Sequence, residues 1–154
     1  MVAKYNLELT ADLIPRIVKE KEYDYTVKYL TDPKRVEELV NACLNLRYQC
    51  EERVILICCD TRLSPVAIFE VAHGTVDQCM VTAREIIQRV LMAGATGFIM
   101  VHNHPTQDVS PSEYDRQFAE QLESISVLMN LKLMDFIIIG DGYYSFREHE
   151  MLRW

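Results

Sequence analysis

The sequence predicts one α/β domain in which a mixed β-sheet is flanked by helices. Three observations carry that expectation. Short apolar runs rich in branched residues recur as "RVILICCD", "TGFIMV" and "LKLMDFIIIG", and each reads as a strand buried on both faces. Segments with apolar residues at helical spacing lie between them. The runs "RVILICCD" and "VAIFEVAHG" are separated by the turn "TRLSP", which reads as an antiparallel hairpin.

Residues 1–31 have weak periodicity and several charges, and read as an N-terminal extension rather than a second domain; the domain itself is expected over 32–154. In "TDPKRVEELVNACLNL", Asp32 can cap a helix that starts at Pro33, with Val36, Leu39, Val40 and Cys43 on one face. The hairpin follows. "TAREIIQRVLMAG" is the next helix, closed by Gly94, with Ile86, Ile87, Val90 and Leu91 on its buried side. "TGFIMV" is the third buried strand. In "SPSEYDRQFAEQLESISVLMN", Ser110 is expected as N-cap, Pro111 as first residue and Glu113 as capping-box partner. Phe118, Leu122, Ile125 and Met129 would face inward. "LKLMDFIIIGDGYYSF" supplies a fourth strand, a turn at Asp141–Gly142 and a fifth strand.

Composition narrows the function. A chain of 154 residues, 49% apolar and 25% charged, fits one ordinary globular domain. No apolar run is long enough to span a bilayer, and the N-terminus lacks the features of a signal peptide. A cytoplasmic location with no membrane partner is therefore expected. The cysteines are Cys43, Cys50, Cys58, Cys59 and Cys79. An odd count, an adjacent pair and no CxxC motif fit small buried hydrophobes in a reducing compartment. A net charge of −7 gives no support to a broad grip on nucleic acid. No feature fixes an oligomeric state.

The chemistry concentrates in "HNHPTQDVSPSEYD", residues 102–115. His102 and His104, two apart just past a buried strand, point to the same side if the chain stays extended. Ser112 and Asp115, three apart in the first turn of the following helix, share a face. Two imidazoles and one carboxylate, with a fourth position for water, form the set expected of catalytic zinc, although other first-row divalent ions fit it too. Taken singly, each residue has a plainer reading: loop histidines, a carboxylate favoured by the helix dipole, a solvated serine. Hydrolysis also needs a general base. Glu70 and Glu85 are both available, and periodicity does not choose between them; Glu85 also completes a capping box with Thr82. His73 reads as structural or solvated, His149 as a surface residue, and the tyrosines of "YYSF" as strand packing.

The stretch fits H-x-H-x(7)-S-x(2)-D. With "LICCDTRLSPVAIFEVAHGT", "AREII" and "DFIIIGDGYYSFRE", it resembles the bacterial RadC family of JAMM (MPN-type) metalloisopeptidases over roughly residues 32–152. The resemblance implies an MPN/JAMM fold, a cytidine-deaminase-like three-layer arrangement. It implies one Zn2+ per chain held by His102, His104 and Asp115, with Glu85 as base and Ser112 steadying the oxyanion. The implied substrate is a peptide or isopeptide-linked protein, and many JAMM proteins need a partner for activity. Two departures stand out. Ala83-Arg84 replaces a proline-arginine pair, and Thr106-Gln107-Asp108-Val109 replaces Ser-Gly-Asp-Pro. The helix-hairpin-helix module that commonly precedes this domain is replaced by the short extension, so DNA binding is not carried over. The alternatives are a DNA repair or recombination accessory of the RadC type and a metal-dependent nuclease.

Overall fold

Branched apolar runs favour extended backbone and need cover on both faces, and the strands follow them. The structure is a computed structural model, described over residues 1–74 and 81–153; Cys79, grouped above with the buried cysteines, lies outside the described residues. The strands are β1 (Val2–Leu9), β2 (Pro15–Tyr23), β3 (Glu52–Cys59), β4 (Pro65–Gly74), β5 (Gly97–Asn103), β6 (Lys132–Gly140) and β7 (Gly142–Ser145). The helices are α1 (Pro33–Leu44), α2 (Ala83–Met92) and α3 (Glu113–Leu128). One sheet runs in the order β2-β1-β4-β3-β5-β6-β7. It is mixed, as expected: β1–β4 and β5–β6 are parallel and the other pairs antiparallel.

Side chains alternate across the central strands and divide the core into two layers. Leu56, Phe98, Met100, Phe136 and Ile138 pack with Ile86 and Val90 of α2 and Phe118 and Leu122 of α3. Ile55, Ile57, Ile99, Val101 and Ile137 pack with Val36, Leu39 and Val40 of α1. Helices thus cover both faces of the sheet, a three-layer α/β arrangement. No helix among the described residues is long and apolar enough to cross a membrane.

Several local readings shift. Residues 2–23 form a β-hairpin that extends the sheet through β1, so the N-terminal extension is part of the same sheet. Weak periodicity hid it because β2 is an edge strand with mostly exposed side chains. Lys4 Nζ joins β1 to Glu70 of β4 at 3.3 Å, and Arg53 approaches the same carboxylate at 3.3 Å. The cap of α3 is Ser112 with Asp115 as its box partner, two residues beyond the expected Ser110–Glu113 pair. Leu91 and Met129 are 48% and 44% exposed, because each lies at the helix end where the core has already closed. Asp32, Pro33 and Gly94 act as the sequence indicates, with Gly94 at φ +65° past the end of α2.

Asp135 is buried in β6, where it accepts hydrogen bonds from Ser145 Oγ (2.6 Å), Phe136 N (2.8 Å) and Arg147 N (3.0 Å). Burial pushes its carboxyl above the usual range against these donors. Asp135→Ala leaves three donors without an acceptor and should destabilise the fold by about 2–3 kcal/mol, read from the urea midpoint. Cys50 is exposed while Cys58 and Cys59 are buried. Burial pushes both buried thiols up, Cys59 to about 12. Thiolate is the reactive form, so at pH 8 a maleimide should modify Cys50 in the folded protein and reach Cys58 and Cys59 only after denaturation, as mapped by peptide mass spectrometry.

Candidate metal centre

His102 lies within β5 rather than past its end, opposite Val54 of β3 and beside Ile138 of β6. Its alternation with Phe98 and Met100 aims the ring at the α2/α3 side of the sheet. His104 follows the strand, and its amide still bonds to Ile139 O at 2.9 Å. Asn103, between them, is fully buried. Its side chain accepts from Arg53 N at 2.8 Å and donates to Glu51 O at 3.1 Å. That amide fastens the start of β3 to the end of β5 and sets the register of the residues around it.

Asp115 arrives from the first turn of α3. The Ser112 hydroxyl accepts from Asp115 N at 3.1 Å, and Asp115 Oδ2 accepts from Ser112 N at 2.8 Å. The capping box therefore fixes the carboxylate as well as the helix end. Asp115 Oδ1 lies 3.1 Å from His102 Nε2, and Oδ2 lies 3.3 Å from His104 Nε2. His102 and Asp115 are 3% and 4% exposed. Phe136 closes one side, its ring centroid 5.5 Å from that of His102, and its apolar wall strengthens the electrostatics in front of it.

The donor set fits a divalent metal. His102 Nε2 is buried without a hydrogen-bond partner, so its 3.1 Å approach to Asp115 lacks hydrogen-bond geometry. Ligands held about 2.0–2.1 Å from a tetrahedral zinc are spaced about 3.3 Å apart, close to the two distances above. The outer ring nitrogens are engaged: His102 Nδ1 with Glu52 Oε1 at 2.8 Å and His104 Nδ1 with the Asp108 carbonyl at 2.7 Å. With each Nδ1 donating outward, a ring that gives up its second proton turns its Nε2 lone pair inward, the tautomer a metal requires.

Burial alone would lower the basicity of His102, but Asp115 and then Glu52 push it up to about 9. Burial would raise Asp115, yet the two imidazoles and Ser112 N hold it well below the usual carboxylate range. The carboxylate is thus charged, and a metal would displace the proton of His102.

Glu52 is the residue that sequence reasoning missed. It is 8% exposed, and its carboxylate lies with the His102 and His104 nitrogens in a group whose ligand atoms are all within 4.8 Å of one another. Its one signal was an acid at the head of an apolar strand; the β3–β5 register, invisible in sequence, makes that acid meaningful. Glu85 is committed elsewhere. Its Oε2 accepts from Thr82 N at 2.8 Å and from Thr82 Oγ1 at 3.1 Å, and the backbone donor chiefly holds its carboxyl below the usual range. Glu70 is held in the Lys4–Arg53 cluster. The structure therefore brings together His102, His104, Asp115 and Ser112, adds Glu52, and leaves Glu85 as a helix cap. His73 pairs with Glu51, and His149 stacks on Tyr144 with centroids 4.0 Å apart.

Comparison with known proteins gives the family. Residues 30–151 match the RadC-like JAB domain. A Thermotoga maritima protein named UPF0758 is 30% identical over 156 residues, covering 96% of this chain and 65% of its own length. UPF0758 proteins of Actinobacillus pleuropneumoniae (31% identical, 82% of this chain and 62% of theirs) and Vibrio cholerae (34%, 80% and 77%) are also similar. The chain spans less than two thirds of the Thermotoga and Actinobacillus relatives. With its histidine pair, its capped aspartate and this match over most of its length, the chain belongs to the RadC-like JAB domain family.

Proposed function

We propose that this domain is a zinc-dependent hydrolase of peptide or isopeptide bonds. The observation that carries the reading is the convergence of His102 Nε2, His104 Nε2 and the Asp115 carboxylate, with Glu52 beside them. A bound divalent ion would supply Lewis acidity, polarising an amide carbonyl and acidifying water. The chain's own residues do the remainder. Glu52 takes the role the resemblance gave to Glu85: it accepts the proton of the attacking water and returns it to the leaving amine. Ser112 Oγ accepts from Asp115 N, so its own hydrogen can donate to the developing oxyanion. Nδ1–H donation to Glu52 and to Asp108 O keeps both rings oriented through the cycle. A net charge of −7 lends nothing to a DNA-accessory or nuclease role.

Elemental analysis of the purified protein should give about one zinc per chain, lost in His102→Ala and Asp115→Ala. In assays on a quenched-fluorescence library of linear and isopeptide-linked peptides, Glu52→Gln should keep the metal and lose about 10²–10⁴-fold in rate. Glu85→Gln should lose about 1 kcal/mol of stability through its cap and change the rate less than about threefold. Wild-type turnover in Glu52→Gln, or its abolition in Glu85→Gln, overturns the assignment.

A further inference from the structure

We infer that Gln107 is a positioning residue for His104, and that its side-chain bracket with Arg47 offsets the backbone strain of a left-handed residue in the metal loop. This rests on the metal reading above but concerns residues that touch neither metal nor substrate.

Gln107 has φ +70°, a region unfavourable to residues with a Cβ. The conformation does a specific job. Gln107 N donates to His104 O at 2.8 Å, closing a turn. The left-handed residue then curls the chain back until the Asp108 carbonyl stands 2.7 Å from His104 Nδ1. That hydrogen bond orients the ring and turns Nε2 inward. An extended residue 107 would carry the carbonyl away.

Three hydrogen bonds hold the strained residue, and a fourth, between Arg47 and Asp141, closes the ring around it. Gln107 Nε2 donates to Arg47 O at 3.0 Å, and Arg47 Nε donates to Gln107 Oε1 at 3.4 Å. Arg47 Nη2 donates to Asp141 Oδ1 at 2.9 Å, while Asp141 N donates to Gln107 O at 2.9 Å. The ring of bonds joins the short 3-10 turn Leu46–Tyr48, the metal loop and the β6–β7 turn. Arg47 is itself anchored: its amide donates to Asn41 Oδ1 at 3.0 Å, and its neighbour Leu46 is fully buried. The fit is close at the far side too, since a Cβ on Gly140 would lie 2.7 Å from Gln107 O.

The test compares two substitutions that remove the same bracket. Gln107→Ala keeps the backbone strain; Gln107→Gly relieves it. Zinc affinity, measured against a competing chelator, should fall about tenfold in Gln107→Ala and stay within about twofold of wild type in Gln107→Gly. In the zinc-free proteins, amide exchange at Gln107 and Asp141, compared with global unfolding, should quicken in the alanine variant and return toward wild type with glycine. Equal losses in both variants, or none in either, overturn the inference. If the wild type binds no zinc, the metal reading fails on its own, and the exchange comparison still decides whether the bracket holds the loop.

Discussion

The carboxylate of Asp115 is the interaction on which the site depends. One end of α3 and the end of β5 meet there, with oxygens at 3.1 and 3.3 Å from two imidazole nitrogens. The same carboxylate accepts from Ser112 N, so the forces that start the helix also aim the ligand. Docking of α3 through Phe118 and Leu122 then delivers that oriented group to the sheet. Local hydrogen bonding sets the angle and hydrophobic burial sets the distance.

Such a cluster is unfavourable by itself. Two acids and a buried histidine are withdrawn from water, and desolvation opposes their charge. His102 responds by holding its proton up to about 9 between Asp115 and Glu52. A dication in the proton's place supplies more positive charge to the same carboxylates. Its binding would therefore add to the folding free energy, and the apolar wall of Phe136 strengthens that attraction.

The glutamates illustrate why short-range and long-range interactions divide the work. Glu85 bonds to a backbone amide three residues away, a contact available as soon as one helical turn forms. Glu52 reaches His102 across 50 residues of chain, and only because β3 and β5 pair antiparallel in one register. Asn103, set between the histidines, fastens that register through Arg53 N and Glu51 O. The sheet thus places the acid, and the loop residues place the second ring.

The sequence by itself determined the α/β class, the central strands, the caps at Asp32 and Gly94, and the spacing of His102, His104 and Asp115. These follow from side-chain periods and from hydrogen bonds spanning a few residues, which leave their signature in consecutive letters. Tertiary structure decided the rest. It joined the polar edge hairpin of residues 2–23 to the sheet and bound Glu70 to Lys4 and Arg53. It also set Glu52 rather than Glu85 beside the histidines. Strand register is fixed by how whole faces pack, and no short stretch of sequence encodes which distant residue will stand opposite.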